Sequence, residues 1–399
     1  MHPHPTAALT TPEVARALDV SAATLRRWIA AEIVPLRDGE WTPAALAQAR
    51  IIARLRKGGH SLGQLREAAR SGRLAYGYLE DLFPARPPTR TLREAAEETG
   101  LEPALIERIW SAAGFSAQSL ERLSDDDVRL LGDFAAVLDA GLPLVAFLQL
   151  VRVYGQALAR IADAEVKLFH LFVHEPLIRD GVPGLDIAEE LADVASELLP
   201  LSGPIMEQVH QRLLQHFVAQ DIVGHLETAD EEDGALGRVR VAIAFADLAG
   251  YTRLTEELGE EEALEVVERF VGAVEESLPD DARVVKTIGD EVMIVGADAS
   301  ALVDWAVGFQ ELSTERPLPR IGIHAGHALY RDGDYYGRAV NLASRVGARA
   351  AGGEVLVTRP VVEAAGRHLA FQQIGEVKLK GFHEATELFL ARARKADES

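Results

Sequence analysis

Residues 238–245 (R-V-R-V-A-I-A-F) alternate in polarity, are rich in β-branched side chains, and lead directly to Asp247. That is the pattern of a strand ending on a carboxylate. Upstream, apolar residues recur at three- and four-residue spacing, the signature of amphipathic helices. A chain that changes period near residue 236 folds as a helical region followed by a mixed one, so the fold class is α+β. Its 399 residues exceed what one ordinary core holds and fit two to four domains.

Charge divides the chain in the same sense. The net charge of −21 argues against the whole molecule lying on nucleic acid. Residues 1–90, however, carry 13 Lys/Arg against 8 Asp/Glu, so the basic excess is local. There is no cysteine, which excludes disulfides and thiolate metal sites and agrees with a reducing, cytoplasmic setting. The N-terminal residues lack a basic segment followed by an apolar core, the mark of a secretory leader. The most apolar run, 130–154, is interrupted by Asp133, Asp139, Pro143, Gln149 and Arg152. The expectation is therefore no membrane span.

Residues 10–73 read as a compact helical module. Val14, Ala15 and Leu18 share one helical face, a turn follows at Asp19 and Val20, and Ser21 can cap a second helix carrying Leu25, Trp28 and Ile29. Asp38-Gly39, between Leu36 and Trp41, predicts a tight hairpin. With the run T-L-R-R-W and the later L-R-K-G-G-H-S-L, residues 1–83 resemble the winged helix-turn-helix of MerR-type regulators. The resemblance implies DNA binding through residues 10–73, with Arg26 and Arg27 on the recognition helix and Arg37 at the wing. The competing reading is a docking or dimerisation piece.

Residues 84–90 (P-A-R-P-P-T-R) read as a stiff linker. Beyond it, 91–153 repeats the apolar skeleton of the first module at an offset of 81 to 82 residues: Ala15 with Ala96, Trp28 with Trp110, Gly59 with Gly141, Leu62 with Leu144. This stretch holds 5 basic and 11 acidic residues, so it should not sit on phosphates; chance alignment of helical segments is the alternative to a true repeat. Long helix is expected from 150 to 225, broken at 181–184 and near 199–203. By helical pattern and position, 91–226 resembles the helical regulatory domain that precedes some adenylate cyclases. His170, His174, His210, His216 and His225 lie in it, and because histidine is the residue type whose charge ordinarily changes near neutral pH they are candidate pH sensors. Residues 227–235 (E-T-A-D-E-E-D-G-A) form an acidic linker.

The chemistry gathers in residues 236–393. Residues 284–286 and 292–295 predict a hairpin whose turn holds Asp290, so Asp247 and Asp290 both stand at strand ends; two close carboxylates invite a hard divalent cation. Further on, Asn341 and Arg345 are spaced i, i+4 on one helical face. The runs F-A-D-L-A-G-Y-T, V-K-T-I-G-D-E-V, D-Y-Y-G-R-A-V-N-L-A-S-R and V-K-L-K-G closely resemble the class III adenylate/guanylate cyclase domain. All six catalytic positions of that family are filled.

The resemblance implies a ferredoxin-like βαββαβ domain acting as a homodimer with two shared sites. It implies two Mg²⁺ or Mn²⁺ ions on Asp247 and Asp290, a triphosphate contact from Lys380, ribose positioning by Asn341 and stabilisation of charge at phosphorus by Arg345. Lys286 and Asp334 occupy the base-selecting positions. Adenine offers an acceptor at N1 and a donor at N6, which Lys and Asp complement, whereas guanine reverses both, so the expected substrate is ATP. A diguanylate cyclase is the rival within the fold, because Gly289-Asp290-Glu291 echoes part of a GGDEF loop, but it leaves Asn341 and Arg345 without a role. The rival outside it is a DNA-binding regulator that uses the domain as a nucleotide sensor.

Overall fold

The computed structural model describes residues 9–75, 89–180, 182, 184–227 and 237–394. Residues 84–88 of the expected linker 84–90 and residues 228–235 of the acidic linker 227–235 lie outside the described residues. The chain divides into two compact units, Met1–Leu214 and Gln215–Ser399.

The first unit is helical. α1 (Thr11–Ala17), α2 (Ala22–Ala30), α3 (Pro43–Lys57) and α4 (Leu62–Arg70) enclose a core of Val14, Leu25, Trp28, Ile33 and Ile52. Their starts are set by side chains that satisfy first-turn N–H groups: Thr10 with Glu13, Ser21, Thr42, and Ser61 with Gln64. α5 (Leu92–Thr99), α6 (Pro103–Ala112), α7 (Asp125–Asp139) and α8 (Leu144–Phe169) follow in the same order. The capping pair Thr91 and Glu94 sits 81 residues beyond Thr10 and Glu13, and Ser124 sits 82 beyond Thr42. This second set closes over its own core of Ile106, Ile109, Trp110, Leu131 and Phe147.

α8 continues through a π turn (His170–His174) into α9 (Glu175–Arg179). Two expectations change here. The apolar helix lies further along than 130–154: Leu144–Arg179 is, by length and composition alone, apolar enough to cross a membrane, with mean hydropathy 1.3. The predicted break near 199–203 is absent, since α10 (Gly184–Glu227) runs through Pro200 and Pro204. Each proline omits its own N–H bond, which bends a helix without having to end it. In the π turn His174 is buried, with Nδ1 3.0 Å from His170 Nδ1 and Nε2 3.1 Å from the Gly72 carbonyl.

The second unit is built on one sheet. Its elements are β1 (Arg238–Leu248), α11 (Tyr251–Leu258), α12 (Glu260–Ser277), β2 (Ala282–Ile288), β3 (Glu291–Gly296), α13 (Ala299–Leu312), β4 (Pro319–Arg331), β5 (Asp334–Tyr336), α14 (Arg338–Gly347), β6 (Val355–Thr358), α15 (Arg359–Ala364), β7 (Leu369–Val377) and β8 (Thr386–Ala393). The strand order is β2-β3-β1-β4-β6-β8-β7, with β5 paired to β4. Within β2-β3-β1-β4 every pairing is antiparallel. α12 and α13 cover one face through Phe270, Val274, Leu302 and Ala306. α14 covers the other, where Ala339 and Ala343 meet Ile243, Phe245, Met293 and Val295. The hairpin is tighter than expected: β2 and β3 extend to Ile288 and Glu291, leaving Gly289 and Asp290 as the turn, with Gly289 at φ 65°.

The seat of α14 depends on two glycines. A Cβ at Gly322 of β4 would overlap the backbone of Gly347 and Val346, and one at Gly347 would press on the Phe245 carbonyl at 3.2 Å. Helix and sheet therefore touch backbone to backbone. Gly322→Ala is expected to lower the stability of this unit by about 1–3 kcal/mol, the usual cost of overpacking, read as a lower midpoint in urea unfolding. An unchanged midpoint would show that α14 shifts without cost.

Candidate active site

β1 carries Asp247 one residue beyond the Ala246–Val292 pair, and Asp290 stands in the turn that precedes β3. The ladder thus brings both carboxylates to the same end of the sheet. Burial raises the Asp290 pKa above the ordinary carboxylate value, and the Asp247 charge adds to this against the N–H bonds that lower it. Glu291 is raised by burial too, then by Asp247 and Asp290.

Asp247 has a partner of its own. It is registered opposite Arg320 across the β1–β4 ladder. Arg320 Nε donates to Oδ1 at 2.6 Å and Nη2 to Oδ2 at 2.6 Å. Sequence reasoning missed both Arg320 and Glu291. Glu291 lies inside a quoted motif without a role there, and Arg320 shows its role only once the strand register is known.

The donor set of Asp247 and Asp290 is hard oxygen only, which fits Mg²⁺ or Mn²⁺. Among the described residues no group of three or more His, Asp or Glu side chains could hold a metal unaided. A cation on this pair would complete its shell with phosphate oxygens and water. Past Asp247 the chain turns at Gly250, φ 88°, and α11 opens with its first N–H groups available to an anion.

The second group is assembled on the face that α14 covers. Two strands, β3 and β1, separate β2 from β4 in the ladder. Nevertheless Lys286 of β2 forms an ion pair with Asp334 of β5. The contact is made across the sheet face, with the β4–β5 hairpin reaching back. Arg283 donates to the Tyr335 hydroxyl at 2.9 Å, and the Tyr335 N–H donates to Asp334 Oδ1 at 2.8 Å. Tyr335 is buried in its own domain, whereas Tyr336 is exposed. Asn341 and Arg345 are both exposed on α14, as is Lys380 before the turn into β8.

The N-terminal arginines divide. Arg26 and Arg27 are exposed on α2. Arg37 instead donates to Asp186 at 2.6 Å and to Glu189 at 2.7 Å, both on α10. Arg37 keeps the expected hairpin position, bridged to Glu40 across the Asp38-Gly39 turn, and these two carboxylates compete with any phosphate for its guanidinium.

His324 lies on β4, its Nδ1 2.8 Å from Thr358 Oγ1. Burial, aided by Arg338, depresses its pKa to about 4. In the unfolded chain a histidine takes its proton near pH 6.5. Folding therefore loses stability as pH falls from that value toward about 4. His324→Gln should flatten the dependence between these limits by up to about 1.4 kcal/mol per pH unit, measured by urea unfolding at each pH. Identical slopes would show that His324 protonates freely in the folded state.

Residues 237–392 match the family model described as Adenylate and Guanylate cyclase catalytic domain, and residues 30–218 match Adenylate cyclase regulatory domain. The chain is 31% identical over 316 residues to a pH-sensitive adenylate cyclase of Mycobacterium tuberculosis, covering 75% of this chain and 77% of that one. It is 34% identical over 283 residues to an adenylate cyclase of Streptomyces griseus (69% of this chain, 68% of that one). With an adenylate cyclase of Streptomyces coelicolor the identity is 32% over 291 residues, covering 71% and 74%.

Proposed function

We infer that this chain, which belongs to the class III adenylate cyclases that carry an adenylate cyclase regulatory domain, converts ATP to 3′,5′-cyclic AMP and pyrophosphate under control of its N-terminal region. The observation that carries the reading is the pairing of Lys286 with Asp334. It places a donor and an acceptor side by side, complementary to N1 and N6 of adenine and mismatched to guanine. The strand order β2-β3-β1-β4 supports the ferredoxin-like topology for this domain.

The ribose 3′-OH attacks the α-phosphate and pyrophosphate leaves. Asn341 holds the ribose so that the hydroxyl approaches in line. Arg345 meets the charge that grows on the phosphoryl oxygens. Lys380 and the first N–H groups of α11 bind the outer phosphates. Asp247 and Asp290 hold two Mg²⁺ or Mn²⁺ ions, whose chemistry when bound is to neutralise the triphosphate and acidify the 3′-OH.

Asn341 and Arg345 both stand exposed on α14, open to a second chain. This supports a homodimer in which one chain supplies the metal carboxylates of a site and its partner supplies the base and transition-state contacts. Asp247→Ala and Asn341→Ala should each abolish activity alone. Mixed in equal amounts, they should recover up to about a quarter of wild-type activity, because random pairing gives heterodimers with one intact site. No recovery in proven heterodimers would mean that each chain builds its own complete site.

A second reading concerns the N-terminus. Arg26 and Arg27 stand exposed together on α2 in the basic part of the chain, which favours DNA binding through that helix without Arg37. Duplex DNA should be retarded at about 50 mM salt, and Arg26→Ala with Arg27→Ala should weaken binding and its salt slope together. Absence of retardation by wild type would leave residues 10–73 as a docking or dimerisation module. A cytoplasmic location agrees with the lack of cysteine.

A further inference from the structure

We propose that Arg320 is a positioning residue that holds the Asp247 carboxylate while the site is metal-free and is displaced from it by the first divalent cation, so that this ion pair sets the cation concentration at which the site fills. The proposal rests on the metal role of Asp247 inferred above.

The pair is built into the sheet. Asp247 and Arg320 are direct partners in an uninterrupted antiparallel ladder running from Arg238–Leu329 to Leu248–Pro319. Their side chains leave one face side by side because the register requires it. Both are largely withdrawn from water, with 16% of the Asp247 side chain and 30% of that of Arg320 exposed. Both carboxylate oxygens are engaged at 2.6 Å. A bidentate, partly desolvated guanidinium–carboxylate contact is among the stronger ion pairs.

Charge explains why such a partner is needed. Asp247 raises the proton affinity of both Asp290 and Glu291, Asp290 adds to it at Glu291, and Arg320 opposes this at both. Without it the β1 terminus and the β2–β3 turn would repel at neutral pH. A divalent cation on Asp247 performs the same neutralisation with twice the charge and uses the same oxygens. A guanidinium and a cation cannot share them closely, because the two positive charges would be in contact. The displaced fork has another acceptor nearby: Arg320 Nη1 already lies 3.5 Å from the Ala348 carbonyl, at the C-terminal end of α14. That end carries the negative pole of the helix.

The test uses the full-length chain and Mn²⁺ alone, titrated by the loss of the free-ion electron paramagnetic resonance signal. Arg320→Gln should bind the first Mn²⁺ about tenfold more tightly than wild type, the loss of one charge-assisted contact from the competing state. Arg320→Lys keeps the charge without the fork and should fall between the two. The Mn²⁺ concentration for half-maximal cyclase activity should shift in the same order. Circular dichroism melts establish that each variant is folded. Equal or weaker Mn²⁺ binding by folded Arg320→Gln and Arg320→Lys, with Asp247→Asn still losing the ion, would overturn the proposal alone. Unchanged Mn²⁺ binding in Asp247→Asn would overturn the metal assignment of Asp247 and the proposal with it.

Discussion

The pairing of β1 with β4 is the constraint on which the catalytic unit depends. From Arg238–Leu329 to Leu248–Pro319 the two strands keep one register without a bulge. A slip of one residue would turn every side chain to the opposite face. Ile243 and Phe245 would then leave the face under α14, and Asp247 would no longer stand opposite Arg320. The same register places Gly322 beneath Gly347, so the depth at which α14 sits is decided by this ladder too. The carboxylates Asp247 and Asp290 and the helix that carries Asn341 and Arg345 are thus positioned by one strand pair.

Polar groups at the ladder's end are balanced in a way that suits a cation-dependent reaction. Burial and mutual repulsion make the ionised forms of Asp290 and Glu291 costly. Arg320 offsets part of that cost and keeps Asp247 in place. Local strain of this kind is typical of sites that await a charged ligand. The pair proposed to select the base differs, since Lys286 and Asp334 satisfy each other and already stand adjacent. Preorganisation of this sort lowers the ordering cost of binding.

Much of this was legible in the residues. The change from helical to alternating period near 236, the strand into Asp247, the turn at Asp290 and the i, i+4 spacing of Asn341 and Arg345 are local patterns that survive folding. The recurrence of the first helical module was legible as well: the apolar offsets of 81 to 82 coincide with repeated caps at Thr10 and Thr91 and at Thr42 and Ser124. What local pattern cannot supply is partnership across the sheet or between distant helices. Arg320 reads as an ordinary strand residue until it is set opposite Asp247. The ion pairs of Arg37 with Asp186 and Glu189 likewise appear only once α10 is placed. Pro200 and Pro204 read as a helix break because propensity ignores the continuous turns on either side.

The most direct test of the account is product analysis of the purified full-length protein incubated with Mn²⁺ and either ATP or GTP. The account predicts cyclic AMP from ATP, with cyclic GMP from GTP lower by at least about tenfold, the effect of roughly 1–3 kcal/mol of mispaired base contacts. Cyclic GMP formed as readily as cyclic AMP, or no cyclic nucleotide from either substrate, would contradict it.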